Sequence, residues 1–122
     1  MSDTYNLFKK GQEHLRKGRA AQATVALESA KRREPEKASI REALGIAYFR
    51  IQRWAEAEAE FRKVLELSPT DDYAHYALGR TLEKQGKTHE ANGHYKLAST
   101  MVPGSKRYAD RVLDLDAEAE PS

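Results

Sequence analysis

Four histidines, at positions 14, 75, 89 and 94, are the side chains in this 122-residue sequence best suited to hold a metal or move a proton. His89 and His94 stand five apart, a spacing that does not put both on one helical face, and His14 and His75 lie in other parts of the chain. They read as surface or seam residues, so no metal site is expected. The carboxylates Glu56, Glu58 and Glu60 alternate by two, which spreads them around a helix as a solvated face. Cysteine is absent, and with it a disulfide frame, a thiolate zinc site and a cysteine nucleophile. There is no phosphate-cradling glycine loop and no nucleophile elbow. The residues predict no catalytic group, no cofactor and no enzymatic activity.

What remains is charge and apolar surface. Twenty-one Lys and Arg against 19 Asp and Glu give a net charge of +2, too weak to draw the chain to nucleic acid or to a membrane surface. The charge is unevenly placed, with a basic excess over residues 1–53 and an acidic excess over 54–122. Lys9-Lys10 and Lys31-Arg32-Arg33 are the basic clusters, and the second falls at a helix end where cations complement the dipole. Nucleic acid is therefore not an expected partner. Hydrophobic residues make up 39 % and charged residues 33 %, enough for one modest core in a single domain. Without an apolar run of 18 residues or a signal-peptide start, the expectation is a cytoplasmic protein with no membrane insertion.

The elements that carry these residues repeat. Prolines stand at 35, 69 and 103, glycines at 11, 45 and 79, and alanines at 23, 57 and 91, each column stepping by 34. Leu27, Phe61 and Tyr95 form a fourth column of large apolar residues, and Arg19, Arg53 and Lys87 a basic one. Within a unit the apolar spacing is helical: Leu44, Tyr48 and Ile51 on one helix, Ala57, Phe61, Val64 and Leu65 on the next. Gly18 and Gly86 fall between paired helices where a left-handed residue is wanted, and Thr70, Asp71, Asp72 and Ser105 offer caps to the helices that follow. Gly93 lies inside the sixth helix and should make it the softest, at a cost of about 1 kcal/mol relative to Ala.

The middle unit reads Leu44-Gly45, Tyr48, Ala57, Phe61, Pro69, with Arg41 three residues before Leu44. In this it resembles the tetratricopeptide repeat family, whose pattern is W-x2-L-G-x2-Y, A-x3-F, P; Arg41 replaces the tryptophan. The first unit (Leu7, Lys10-Gly11, His14, Ala23, Leu27, Pro35) and the third (His75, Leu78-Gly79, Leu82, Ala91, Tyr95, Pro103) follow the same order. The fold implied is all-α, a right-handed α-solenoid of three helix-turn-helix repeats (about 4–37, 38–71 and 72–105). Tyr108, Val112 and Leu115 extend the apolar spacing and predict a seventh, capping helix over about 105–118, within one domain of 1–118 and ahead of a flexible acidic tail at 119–122.

In this family the first helices of the units line a superhelical groove. Here they place Phe8, Lys9, Gln12 and Arg16 from the first unit, Ile46, Phe49 and Arg50 from the second, and Tyr73, Tyr76, Arg80 and Lys84 from the third. Aromatic groups beside cations suit a peptide with apolar and acidic residues, although Phe8 is as well placed to pack between units. A subgroup that holds the C-terminal carboxylate of heat-shock chaperones uses Lys and Asn in the first unit, Asn in the second and basic residues in the third. The corresponding positions here hold Phe8, Gln12, Ala43, Tyr73 and Ala77, so that carboxylate clamp is absent. The resemblance implies a non-enzymatic adaptor or scaffold binding a segment of another protein. The alternative is a structural assembly protein that self-associates, its acidic tail (Asp110, Asp114, Asp116, Glu118, Glu120) docking on the basic half of a second copy.

Overall fold

The computed structural model of the protein describes residues 3–113. These form α1 (Asp3–Arg16), α2 (Ala20–Arg33), α3 (Ala38–Arg50), α4 (Trp54–Leu67), α5 (Asp72–Lys84), α6 (Thr88–Met101) and α7 (Lys106–Ala109), with no strand among the described residues. Starts of α2, α4 and α6 are 34 residues apart, as are their ends. Each unit is an antiparallel pair, and the pairs stack in chain order into an α-solenoid.

The crossing within each pair is set by a glycine on the first helix and a large side chain on the second. A Cβ at Gly11 would lie 2.5 Å from Leu27, one at Gly45 2.6 Å from the Phe61 ring, and one at Gly79 2.6 Å from the Tyr95 ring. Any other residue there would push that side chain aside or force the helices apart. Leu27, Phe61 and Tyr95 are accordingly buried, together with Ala23, Ala57 and Ala91 from the same helices.

Each pair turns through the same backbone arrangement. Arg19, Arg53 and Lys87 donate their N–H groups to the carbonyls of His14, Tyr48 and Leu82, at 2.7, 2.9 and 3.0 Å. The residue before each is left-handed: Gly18 (φ 75°), Gln52 (φ 64°) and Gly86 (φ 79°). Gln52 is the departure, because a side chain there pays for a conformation that glycine adopts without strain. Asp71 caps α5 by accepting from the Ala74 N–H at 3.0 Å, and Ser105 caps α7 by accepting from Tyr108 at 3.3 Å.

Adjacent units are joined by polar groups as well as apolar ones. Glu60, expected on a solvated face, is buried, and it accepts from Lys31 of α2 (2.8 Å) and Arg41 of α3 (3.0 Å). The alternation by two that spreads Glu56, Glu58 and Glu60 around α4 turns the last of them inward. Lys31, read from sequence as a dipole-complementing surface cation, is thereby part of a seam. Arg41, which stands where the family has tryptophan, also donates to the Pro35 carbonyl at 2.9 Å. Tyr48 donates to Glu28 across the same seam at 2.6 Å.

The capping helix differs from expectation. It is one turn, Lys106–Ala109, and residues 110–113 leave the helix, while 114–118 and the tail at 119–122 lie outside the described residues. Asn92 of α6 is the reason. Its side-chain oxygen accepts from the Leu113 N–H (2.6 Å) and its Nδ2 donates to the Leu113 carbonyl (2.9 Å), so Leu113 cannot give its N–H to Ala109 as a helix would require. Tyr108 seats the turn, buried on the core with its hydroxyl donating to Asp72 at 2.6 Å.

Gly79→Ala should cost about 1–3 kcal/mol in urea unfolding, because the Tyr95 ring must move. Gly93→Ala, where an added Cβ meets nothing within 4 Å, should instead stabilise by about 1 kcal/mol. Relief of the left-handed strain in Gln52→Gly should add about 1 kcal/mol by the same measurement.

Candidate functional site

The inner helices α1, α3 and α5 lie side by side and turn one face each to a common trough. Its amino-terminal part is a cavity of about 340 Å³ lined by Phe8, Gln12, Leu15 and Arg16 of α1 and by Ser39, Glu42, Ala43, Ile46 and Arg50 of α3. Its central part, about 230 Å³, is lined by Ile46, Phe49, Arg50, Tyr73, Tyr76, Ala77 and Arg80, with Phe61 reaching in from α4. Ile46 and Arg50 belong to both, which makes the two cavities one continuous surface. A third, polar recess at the carboxyl end of α5 is formed by Arg80, Glu83, Lys84 and Arg111.

The structure thus brings together ten of the eleven residues expected from sequence. Lys9 is not among those lining these cavities; its ammonium lies 5.8 Å from the Tyr5 ring. Tyr76 does line the trough but is only 7 % exposed, packed between Tyr95 (6.2 Å between centroids) and Tyr108 (5.2 Å). It serves as floor and core at once, because α7 folds over it. Phe49 is half-buried, edge-on to Trp54 at 5.0 Å, with the Arg80 guanidinium 5.2 Å above its ring. Arg50 donates to the Leu15 carbonyl at 2.8 Å, tying the first unit to the second at the rim.

Two cations were not read from sequence. Arg107 sits over the Tyr73 and Tyr76 rings at 6.0 and 5.2 Å, and Arg111 stands 3.8 Å from Glu83. Both come from the segment taken as a polar outer cap, Arg107 from within α7 and Arg111 from just past its end. Glu42 supplies the opposite character. Burial, and then the nearby carboxylates of Asp71 and Asp72, raise its pKa above the usual value. Burial likewise raises the pKa of Tyr73, with Glu42 adding to it.

Outside the trough the fold unites two histidines from different helices. His75 and His94 face each other with their Nδ1 atoms 3.0 Å apart and their rings stacked, and His75 Nε2 lies 3.2 Å from the Pro69 carbonyl. One neutral arrangement satisfies all three groups: His75 donates to Pro69 and accepts from His94. Burial lowers the His94 pKa first, then the charges of His75 and Arg62, with Glu90 opposing. The described residues contain no group of three or more His, Cys, Asp or Glu able to hold a metal. None of their helices is long and apolar enough to cross a membrane.

Residues 8–72 match a tetratricopeptide repeat family model, and residues 60–91 match a second one of the same description. The chain belongs to the tetratricopeptide repeat family. Among curated relatives, the tetratricopeptide repeat and J domain-containing co-chaperone DNJ1 of Fusarium oxysporum f. sp. lycopersici is 34 % identical over 105 residues, covering 86 % of this chain and 20 % of its own length. Superkiller complex protein 3 of Mus musculus is 30 % identical over 94 residues, covering 77 % of this chain and 6 % of its own. The chain spans a fifth or less of either relative. Of solved structures, the first repeat domain of Spaghetti (RPAP3), bound to the HSP90 peptide SRMEEVD, superposes with a TM-score of 0.87 at 18 % identity over 95 % of this chain and 92 % of that one. MamA gives 0.87 at 22 % identity over 89 % and 64 %. At these identities the likeness shows the tetratricopeptide fold.

The His75 and His94 pair makes stability depend on pH with a definite sign. His94 has a folded pKa below its unfolded value of about 6.5, so the folded state binds fewer protons just below that pH. The stabilisation is complete above pH about 6.5 and is lost as pH falls toward the lower folded pKa. Melting followed by circular dichroism should show Tm dropping between about pH 7.5 and pH 5 by more in the natural chain than in His94→Gln.

Proposed function

We propose that the chain is a non-enzymatic interaction module, an adaptor or scaffold, that holds an extended or helical peptide segment of another protein in its trough. The observation that carries this reading is the unbroken run of Phe8, Ile46, Phe49 and Tyr73 across three helices, bordered by Arg16, Arg50, Arg80 and Lys84. Aromatic and aliphatic groups bury a partner's apolar anchors, at roughly 25 cal/mol per Å² of apolar area, while guanidinium groups fix carboxylates by paired hydrogen bonds. A partner segment with apolar and acidic side chains fits both.

The relatives support a module of this kind: one is a co-chaperone, and one structural neighbour carries a bound HSP90 peptide. The mode of holding differs in this chain. Phe8, Gln12, Ala43, Tyr73 and Ala77 occupy the positions at which the chaperone-tail subgroup has its Lys, Asn and basic residues, and all five line the trough. An apolar anchor set into the aromatic floor replaces the terminal carboxylate as the main point of attachment.

A display library of 12-residue peptides biased toward Asp, Glu, Leu and Phe tests this directly. Peptides selected by the natural chain should bind Phe49→Ala, Tyr73→Ala, Arg80→Ala at least about tenfold more weakly, with the helical circular dichroism unchanged. Tyr76 is left in place because it is core. Equal affinity for the triple variant would sink the proposal.

A further inference from the structure

The end of the trough nearest α7 is its most cationic part. Arg80, Lys84 and Arg111 converge there, with Arg50 one helix away and Arg107 over the aromatic floor. The carboxylates at this end are already engaged. Glu83 accepts from the Tyr95 hydroxyl and faces Arg111, and Asp72 accepts from Tyr108. Leu113, two residues past Arg111, is clasped by Asn92, so the chain leaves the described structure beside this recess.

The segment that follows reads Asp114-Leu115-Asp116-Ala117-Glu118-Ala119-Glu120, four carboxylates and one large apolar residue without a cation. Seven extended residues span about 23 Å, whereas neighbouring packed helices are about 8–10 Å apart, so the segment can reach from α5 across α3. Tethering gives it an effective concentration in the millimolar range.

We propose that residues 114–120 of the same chain occupy the carboxyl-terminal half of the trough, as an internal acidic ligand that an external peptide must displace. Phe49 and Trp54 offer the apolar contact, and Arg80, Lys84 and Arg50 the cations, that a segment of this composition needs. The inference rests on the trough being a ligand groove, and it adds a built-in competitor whose composition states the ligand class: acidic, with a single apolar anchor.

The chain has no cysteine and one tryptophan, which makes the test direct. A nitroxide on Ser122→Cys should broaden the Trp54 indole N–H and the Phe49 and Arg80 amide resonances in dilute samples. Asp114→Asn, Asp116→Asn, Glu118→Gln, Glu120→Gln should remove that broadening, as should about 0.5 M salt. The neutralised variant should also bind a library-selected acidic peptide about tenfold tighter than the natural chain. Broadening absent from the trough, unchanged on neutralisation, or centred on α1 and α2 would overturn the proposal. So would equal broadening of isotope-labelled chains by a separate spin-labelled chain, which would place the segment on a second copy, or unchanged peptide affinity. The resonance measurement needs no partner, so its failure is read separately from any failure of groove mutations to weaken peptide binding.

Discussion

The structure depends on three places where a helix backbone and a side chain meet without a Cβ between them. Gly11 under Leu27, Gly45 under Phe61 and Gly79 under Tyr95 fix how closely each pair approaches and at what angle. Because the same contact recurs every 34 residues, each unit presents the same face to the next, and α1, α3 and α5 are brought edge to edge. The trough is the geometric residue of that repetition. It needs no special loop, and its lining is set by which residues fall on the inner face of three helices whose spacing is already determined.

The seams between units are where the sequence has moved away from the plain family pattern. The buried Glu60 and the half-buried Lys31 and Arg41 form an ionic set where an aromatic would otherwise pack, and Tyr48 reaches Glu28 across the same boundary. The next seam uses different groups, Arg62 with Glu90 at 2.6 Å and Gln85 with Glu58 at 2.9 Å. Buried ion pairs stabilise little after desolvation, yet a missing partner is costly, so such sets tell one unit from another more than they strengthen the stack. Distinct seams make the order of units unambiguous.

Much of this was legible in the linear sequence, because periodic columns report both the helix pairs and the face each helix turns inward. Phe49, Tyr73, Arg80 and their neighbours could be placed in the trough because helical spacing gives each a face and the family resemblance implies that this face of the first helices lines a groove. What spacing cannot report is contact between residues far apart in sequence. Tyr76 sits on the inner face but is covered by Tyr108, Glu60 looks like its exposed neighbours but turns inward, and His75 meets His94 across a helix pair. The cap was misjudged for a local reason of the same kind: the apolar rhythm of Tyr108, Val112 and Leu115 is helical, but one amide on α6 captures the backbone at Leu113 and ends the helix. Gln52 shows that a turn can keep its shape when its usual glycine is gone.

Among the described residues, nothing stacks on the outer side of the first unit. Leu7, Lys10, His14 and Val25 border an open cavity there, Val25 is 71 % exposed, and His14 keeps a buried Nδ1 atom without a hydrogen-bond partner. In a linear array, cooperativity passes only between neighbours, so a unit held on one side has half the coupling of one held on both. Its glycine also lies under a leucine, where the later units carry a ring. Within the described residues, opening of the array is therefore directional, starting at α1 and α2 and travelling inward, and backbone amides of the first unit exchange with water ahead of those around Phe61 and Tyr95.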